Sequence, residues 1–211
     1  CFDTNSSYLT PSGFGDVQAE VVAMRETACL IDESFRAKIV VHAHAMENAL
    51  AALHPEIIAP SQNRATKLGT DFVVLRLTLD EVLLIFNGEP PANIFQSTGV
   101  EPEKIAQVDV TAAYCHIRIV GPVATPILAR LTETDLREQN LPDMALIQCA
   151  VAGVRCIVMR EDVFEGLCEY SVLAPREFGE YVFSAFMNAG SSLGLQLAGS
   201  QARQIYLDEG R

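Results

Sequence analysis

The chain has 211 residues, with 15 Lys and Arg against 27 Asp and Glu, a formal net charge of −12 at pH 7. Apolar residues make up 49% and charged ones 20%, which excludes wholesale disorder and leaves enough chain for one large domain or two small ones. The acidic balance excludes a broad basic surface and argues against an electrostatic binder of nucleic acid or an anionic membrane, because phosphate contacts need clustered Lys and Arg; a local basic pocket stays open.

Asp16 is placed to cap a helix whose apolar face is Val17, Val21, Met24 and Ala28, after a turn-rich stretch over 1–15 that reads as a loose arm. Ala37–Val41 alternates as a strand, Ala45–Leu53 has helical spacing until Pro55, and residues 55–70 read as a loop. Phe72–Leu77 and Val82–Phe86 read as a hairpin across a polar turn, followed by a short helix over 92–98. Cys115–Val120 is a further strand entering Gly121-Pro122, with a helix over Val123–Leu131.

Shifting Lys38–Leu53 by 78 residues aligns Ile39 with Ile117, Val41 with Ile119, Leu50 with Leu128 and Leu53 with Leu131, which points to an internal duplication. Cys149–Met159 and Tyr170–Leu173 read as strands, and Phe178–Asn188 as an amphipathic helix with Gly190 as its C-cap. Elements alternate but the strands pair as hairpins, so the expected class is α+β, a body over 16–211 in two intertwined halves, about 16–110 and 111–211.

Six cysteines stand at 1, 29, 115, 149, 156 and 168, with neither a Cys-x-x-Cys nor a zinc-like Cys/His spacing, so no metal is expected. Most lie in apolar runs and read as small buried hydrophobes in a reduced, cytoplasmic compartment. His42 and His44 read as a solvated strand end and His116 as a core-edge residue. No run is long enough to span a membrane and no signal segment opens the chain. The first residue is Cys, so the sequence is expected to begin inside a longer product.

Four stretches carry a family resemblance, in order, over residues 14–210. They are Gly15-Asp16 through Arg25 with Leu30–Ser34; Thr70–Val74 with Leu83–Asn87; Ile117–Ala124 with its Gly-Pro turn; and Ala189-Gly190 … Gly194-Leu195 … Gly199 … Ala202-Arg203 … Leu207–Gly210. Together they resemble the aminomethyltransferase (glycine-cleavage T-protein) family and its folate-binding relatives. The resemblance implies a tetrahydrofolate site and transfer of a one-carbon unit from an amine, with an aminomethyl group on a lipoylated carrier protein as donor in the glycine-cleavage member.

By the same resemblance, Asp71 is the carboxylate that orients the accepting nitrogen and stabilises developing positive charge. Asn87 and Arg203 help hold the folate, while Gln204 and Tyr206 replace the family's Asp and Arg. Leu167 stands where the family has its pterin-binding glutamate. Glu165 and Glu169 share its face of an extended segment and are the candidates to replace it. The 55–70 loop is shorter than the family's, and the chain ends at Arg211 where the family continues into a β-barrel domain. The alternative is a non-catalytic accessory module resembling the sarcosine oxidase γ chain, whose partner would be a larger oxidase subunit. The Lys-Gly-Cys-x-x-Gly-Gln-Glu signature of folate-dependent iron–sulfur maintenance proteins is absent.

Overall fold

The computed structural model describes residues 10–54, 56–69, 72–90, 105–164 and 167–209, together with the backbone of 2–3. In chain order the elements are β1 (Phe2–Asp3), β2 (Thr10–Pro11), α1 (Val17–Glu26), β3 (Ala28–Asp32), β4 (Lys38–Ala43), α2 (Met46–Leu53), β5 (Ala65–Leu68), β6 (Phe72–Arg76), β7 (Glu81–Phe86) and β8 (Ile105–Asp109). Then follow β9 (Tyr114–Val120), α3 (Ala124–Leu128), β10 (Leu146–Val151), β11 (Val154–Phe164), β12 (Leu167–Pro175), α4 (Gly179–Gly190), β13 (Leu195–Leu197) and α5 (Ser200–Asp208).

Two compact units emerge. One comprises Cys1–Phe35, Tyr114–Asp143 and Ile147–Arg211, the other Arg36–Ala113 with Met144–Leu146. Residues 16–35, grouped with the first half in the sequence reading, therefore belong with the later segments. Among the described residues the first unit holds a six-stranded sheet ordered β10-β11-β12-β9-β3-β13, and the second a five-stranded sheet ordered β5-β6-β7-β4-β8. Neighbours pair antiparallel except β13 beside β3, so the α+β class with antiparallel sheets stands.

In the second unit, β6 and β7 are buried along almost their whole length, which is why they read as continuous apolar runs. Phe72, Val74, Val82, Leu84 and Phe86 meet Met46, Ala49 and Leu50 of α2, and the Phe72 and Phe86 rings lie 5.1 Å apart. In the first unit Asp16 caps α1 by accepting the Gln18 N–H at 2.9 Å. That helix buries Val21, Ala23 and Met24 against Ala202 and Tyr206 of α5. Among the described residues no helix is long and apolar enough to cross a membrane.

Several local expectations are corrected. The stretch read as a loop contains β5, because Ala65 to Leu68 find ladder partners in Leu75 to Phe72 that a short, weakly alternating sequence does not advertise. Cys149–Met159 is not one strand: Ala152 (φ 51°) and Gly153 (φ 79°) turn the chain back with two positive φ angles, the signature of a tight hairpin. The left-handed cap after α4 is Gly194 (φ 75°), whereas Gly190 is helical and permits close approach, since a Cβ there would collide with the Leu195 side chain. The arm is not loose at its inner end. Thr10 is buried and the Ser12 carbonyl accepts the Gln201 N–H at 3.1 Å. The helix over 92–98 lies outside the described residues.

Gly121 ends β9 with φ 122°, and a Cβ there would stand 2.5 Å from the Thr27 carbonyl and 2.8 Å from that of Met24. Neither contact involves a side chain that can swing away. Gly121→Ala is therefore expected to lower stability by about 2–4 kcal/mol, read as the shift in a denaturant-unfolding midpoint. An unchanged midpoint would contradict the geometry.

Candidate ligand-binding site

Strand register assembles a buried polar row on one face of the six-stranded sheet. Glu161 on β11 lies opposite Glu169 on β12, Ser171 lies opposite Arg118 on β9, and Ile31 of β3 flanks Arg118 on its other side. Glu33 follows β3, and α5 lays Arg203 over the same face. Glu169 is fully buried, and its two oxygens each accept from the Arg203 guanidinium at 2.6 Å, a bidentate fork.

Arg118 is the second cation. Its Nη1 donates to Glu169 at 3.1 Å and to Glu161 at 3.2 Å. Its Nε lies 3.0 Å from Glu33 Oε1, close enough for an ion pair but angled away from a hydrogen bond. His116 Nε2 stands 3.7 Å from the other Glu33 oxygen, so His116 is a fully buried member of this row rather than a core-edge residue.

Electrostatics pull two ways here. Burial alone opposes the charge on Arg118, but Glu33, Glu161 and Glu169 outweigh it and hold its pKa well above the ordinary arginine value. Burial also dominates at Glu169, raising its pKa from the usual carboxylate value against the pull of Arg203 and Arg118, with Glu161 adding to the rise. The two 2.6 Å contacts are those of an ionised carboxylate.

Tyr206 continues the site along α5. The Arg203 guanidinium carbon sits 5.6 Å from the centroid of its ring, and Phe164 meets that ring edge-on at 5.1 Å. The Tyr206 hydroxyl is buried without a hydrogen-bond partner among the described residues, and burial, reinforced by Glu169, pushes its pKa up to about 12. Phe164 and Leu167 also wall a cleft of about 480 Å³ with Glu138, Arg160, Asp162, Val163 and Cys168. Arg160 is pinned there by Asp162 at 2.8 Å, with Glu138 at 3.7 Å.

Of the residues singled out from sequence, the structure brings Arg203 and Glu169 into direct contact. Asn87 is exposed just after β7, in the other unit. Asp71 and Glu165 lie outside the described residues. Gln204 is an exposed partner of Asp208. His42 and His44 are solvated near Glu81 and Asp80, and no metal-holding cluster exists among the described residues.

Sequence reasoning missed the roles of Glu20, Glu161 and Arg118. Glu20 reads as an ordinary first-turn glutamate, yet its carboxylate accepts the N–H groups of Phe14, Gly15 and Gly199 at 2.7, 3.1 and 2.9 Å. Arg118 did leave a signal: a cation inside an apolar strand, on the same side as His116, has to meet a buried counter-charge.

A folate needs acceptors for its pterin N–H groups and donors for its acidic tail. Glu169 already accepts three hydrogen bonds from two arginines, which leaves about one of a carboxylate's four acceptor sites for a pterin N–H. Arg203 suits the second, since a guanidinium has five N–H donors and the fork on Glu169 uses two.

Fold and site together define an antiparallel α+β body with a buried arginine–carboxylate network beside a cleft. The GCVT N-terminal domain family matches residues 2–209 of this chain. The chain is 27% identical over 212 residues to an aminomethyltransferase of Desulforamulus reducens, covering 93% of this chain and 56% of that protein. Its fold matches glycine cleavage system aminomethyltransferase T from Bartonella henselae with a TM-score of 0.76 at 16% identity, over 98% of this chain and 58% of that one. A chain of the heterotetrameric sarcosine oxidase from Corynebacterium sp. U-96 matches with a TM-score of 0.68 at 21% identity, over 84% of this chain and 92% of that one. This chain belongs to the GCVT N-terminal domain family. It spans a little over half the length of the aminomethyltransferase it matches.

Because the Tyr206 hydroxyl is buried without a partner among the described residues, removing it is expected to relieve a desolvation penalty rather than break a bond. Tyr206→Phe is expected to be neutral or to stabilise the chain by up to about 1 kcal/mol in thermal or denaturant unfolding. A loss of more than about 1 kcal/mol would show that the hydroxyl has a partner.

Proposed function

We propose that this chain is the folate-binding body of a tetrahydrofolate-dependent one-carbon transferase of the glycine-cleavage T-protein type. The observation that carries the reading is Arg203. The arginine of the family-like Ala202-Arg203 step is clamped into the fold by Glu169 instead of standing at a solvated helix end. Tetrahydrofolate, when bound, supplies the nitrogen that accepts the one-carbon unit.

In this reading Asp71 orients that nitrogen and stabilises the positive charge that develops as the new bond forms. Arg203 offers its remaining donors to an anionic part of the ligand, Asn87 adds a polar contact, and Glu165 or Glu169 is the candidate pterin acceptor in place of Leu167. The amine donor would be an aminomethyl group on a lipoylated carrier.

Calorimetric titration with tetrahydrofolate under anaerobic conditions tests this directly. The expected result is a dissociation constant tighter than about 100 µM, near −5.5 kcal/mol, lost in Asp71→Ala and in Arg203→Ala. No heat at millimolar ligand would sink the proposal.

One observation favours a second reading, an accessory subunit of a larger oxidase. The matching sarcosine oxidase chain is covered over 92% of its length, so this fold also occurs there with little else attached. Under that reading tetrahydrofolate gives no heat, and the chain co-purifies from its native source with a larger subunit. A monodisperse monomer without a companion would count against it.

A further inference from the structure

The hairpin of β10 and β11 sets two cysteines opposite each other. Only Ala152 (φ 51°) and Gly153 (φ 79°) separate Val151, the last residue of β10, from Val154, the first of β11. Two successive positive φ angles make a two-residue turn, and such a turn fixes the register of its strands. Val151 then faces Val154, Ala150 faces Arg155, and Cys149 faces Cys156. Burial follows the same pairing: Val151 and Val154 are buried, Ala150 and Arg155 are exposed, and half-buried Cys149 stands across from buried Cys156. The period of two along a strand puts both cysteines on the face of Val151 and Val154.

Opposed residues at this distance from a two-residue turn form a hydrogen-bonded pair, with Cα atoms about 5.5 Å apart. A disulfide closes without backbone movement when that separation is about 4.4–6.8 Å. The Cys156 thiol donates to the Val154 carbonyl at 3.3 Å, and both Cys149 and the Val151 backbone act on it from β10. Cys115 is two strands away on β9, with β12 between. Both hairpin thiols are free in this structure.

We propose that Cys149 and Cys156 form a reversible thiol–disulfide site whose oxidant is a small-molecule disulfide of the oxidised-glutathione class. The site is independent of the folate reading. Cys149, the more accessible thiol, reacts first. Its thiolate attacks one sulfur of the oxidant, that S–S bond breaks, one small thiolate leaves, and a mixed disulfide forms on Cys149. The Cys156 thiolate then attacks the Cys149 sulfur, the mixed bond breaks, and the second small thiolate leaves. The protein gives up two electrons and two protons, and the oxidant takes up both to end as two thiols.

The thiolate is the nucleophile in each step, so the groups around the two sulfurs set the pace. Burial raises the pKa of Cys149, with Thr134 and Thr132 pulling the other way. Burial pushes that of Cys156 to about 12, with Cys149 from β10 and Cys115 from β9 adding to the rise and the Val151 backbone opposing it. Closure is therefore slow at neutral pH and faster in base.

The test uses the full native chain, incubated with oxidised glutathione, then alkylated at its free thiols, cut with trypsin and weighed by mass spectrometry. Arg155 lies between the two cysteines, so trypsin leaves Cys149 in 138–155 and Cys156 in 156–160. The expected product is these two peptides joined by a disulfide and separated again by dithiothreitol. The link is expected to form about tenfold faster at about pH 9 than at neutral pH. Cys149→Ser is expected to abolish it, and Cys156→Ser to stop the reaction at glutathione held on Cys149. Should the substitution at buried Cys156 prevent folding, the wild type and Cys149→Ser decide. Both thiols still free to alkylate at about pH 9, glutathione retained on Cys149 without a link there, or a link from either cysteine to Cys115 or Cys168 instead overturns the proposal. So does a rate of closure that does not rise with pH.

Discussion

A bidentate arginine–carboxylate pair buried on a sheet face is the constraint to which the rest of the first unit answers. Taking two ions out of water costs several kcal/mol each, and their mutual attraction offsets this only with good geometry and further hydrogen bonds. Arg203 and Glu169 meet both conditions, with two contacts of 2.6 Å and a second cation, Arg118, donating to the same carboxylate. The same network ties α5 to β12, β12 to β9, and β9 to Glu33 and Glu161. Five places in the chain, on α5, β12, β11 and β9 and just after β3, are thereby tied together by buried charges. Hydrophobic burial makes this unit stable. The ion network makes one arrangement of α5 on the sheet preferred over its neighbours, because sliding the helix by a turn would strand Glu169.

Glu20 serves the same end by other means. Its carboxylate collects three backbone N–H groups, two from the turn before α1 and one from Gly199, the residue that caps α5. Gly199 admits this closeness, since a Cβ there would collide with Ser12 and Gly13. The N-terminal turn and the start of α5 are locked to each other, and Arg203 sits one turn further along that helix. Order in an apparently dispensable arm thus supports the placement of the one arginine on which the proposed ligand site depends.

Much of this was legible in the sequence, and what was not has physical causes. Asp16, the Phe72–Phe86 hairpin and α4 were readable because capping and periodicity are local. β5 and the Ala152-Gly153 turn were not, since one depends on a partner strand and the other on Ala adopting a positive φ. At the site, Arg203 and Glu169 could each be picked out as candidates, but their pairing across 34 residues could not. That pairing gives Glu169 a role the sequence did not show, as a clamp for Arg203. Glu161 and Glu33 were invisible for the same reason. A glutamate on a strand shows its burial only when the register across three strands is known.

The most direct measurement is a double-mutant cycle on Arg203 and Glu169, using Arg203→Met and Glu169→Gln singly and together, read by denaturant unfolding at neutral pH. The account predicts strong non-additivity, a coupling energy of about 2–3 kcal/mol, because either single variant takes a buried charge out of its bidentate fork, a penalty that the double variant removes. Additivity within about 0.5 kcal/mol would contradict it, and Arg203 would then be a bystander to the fold.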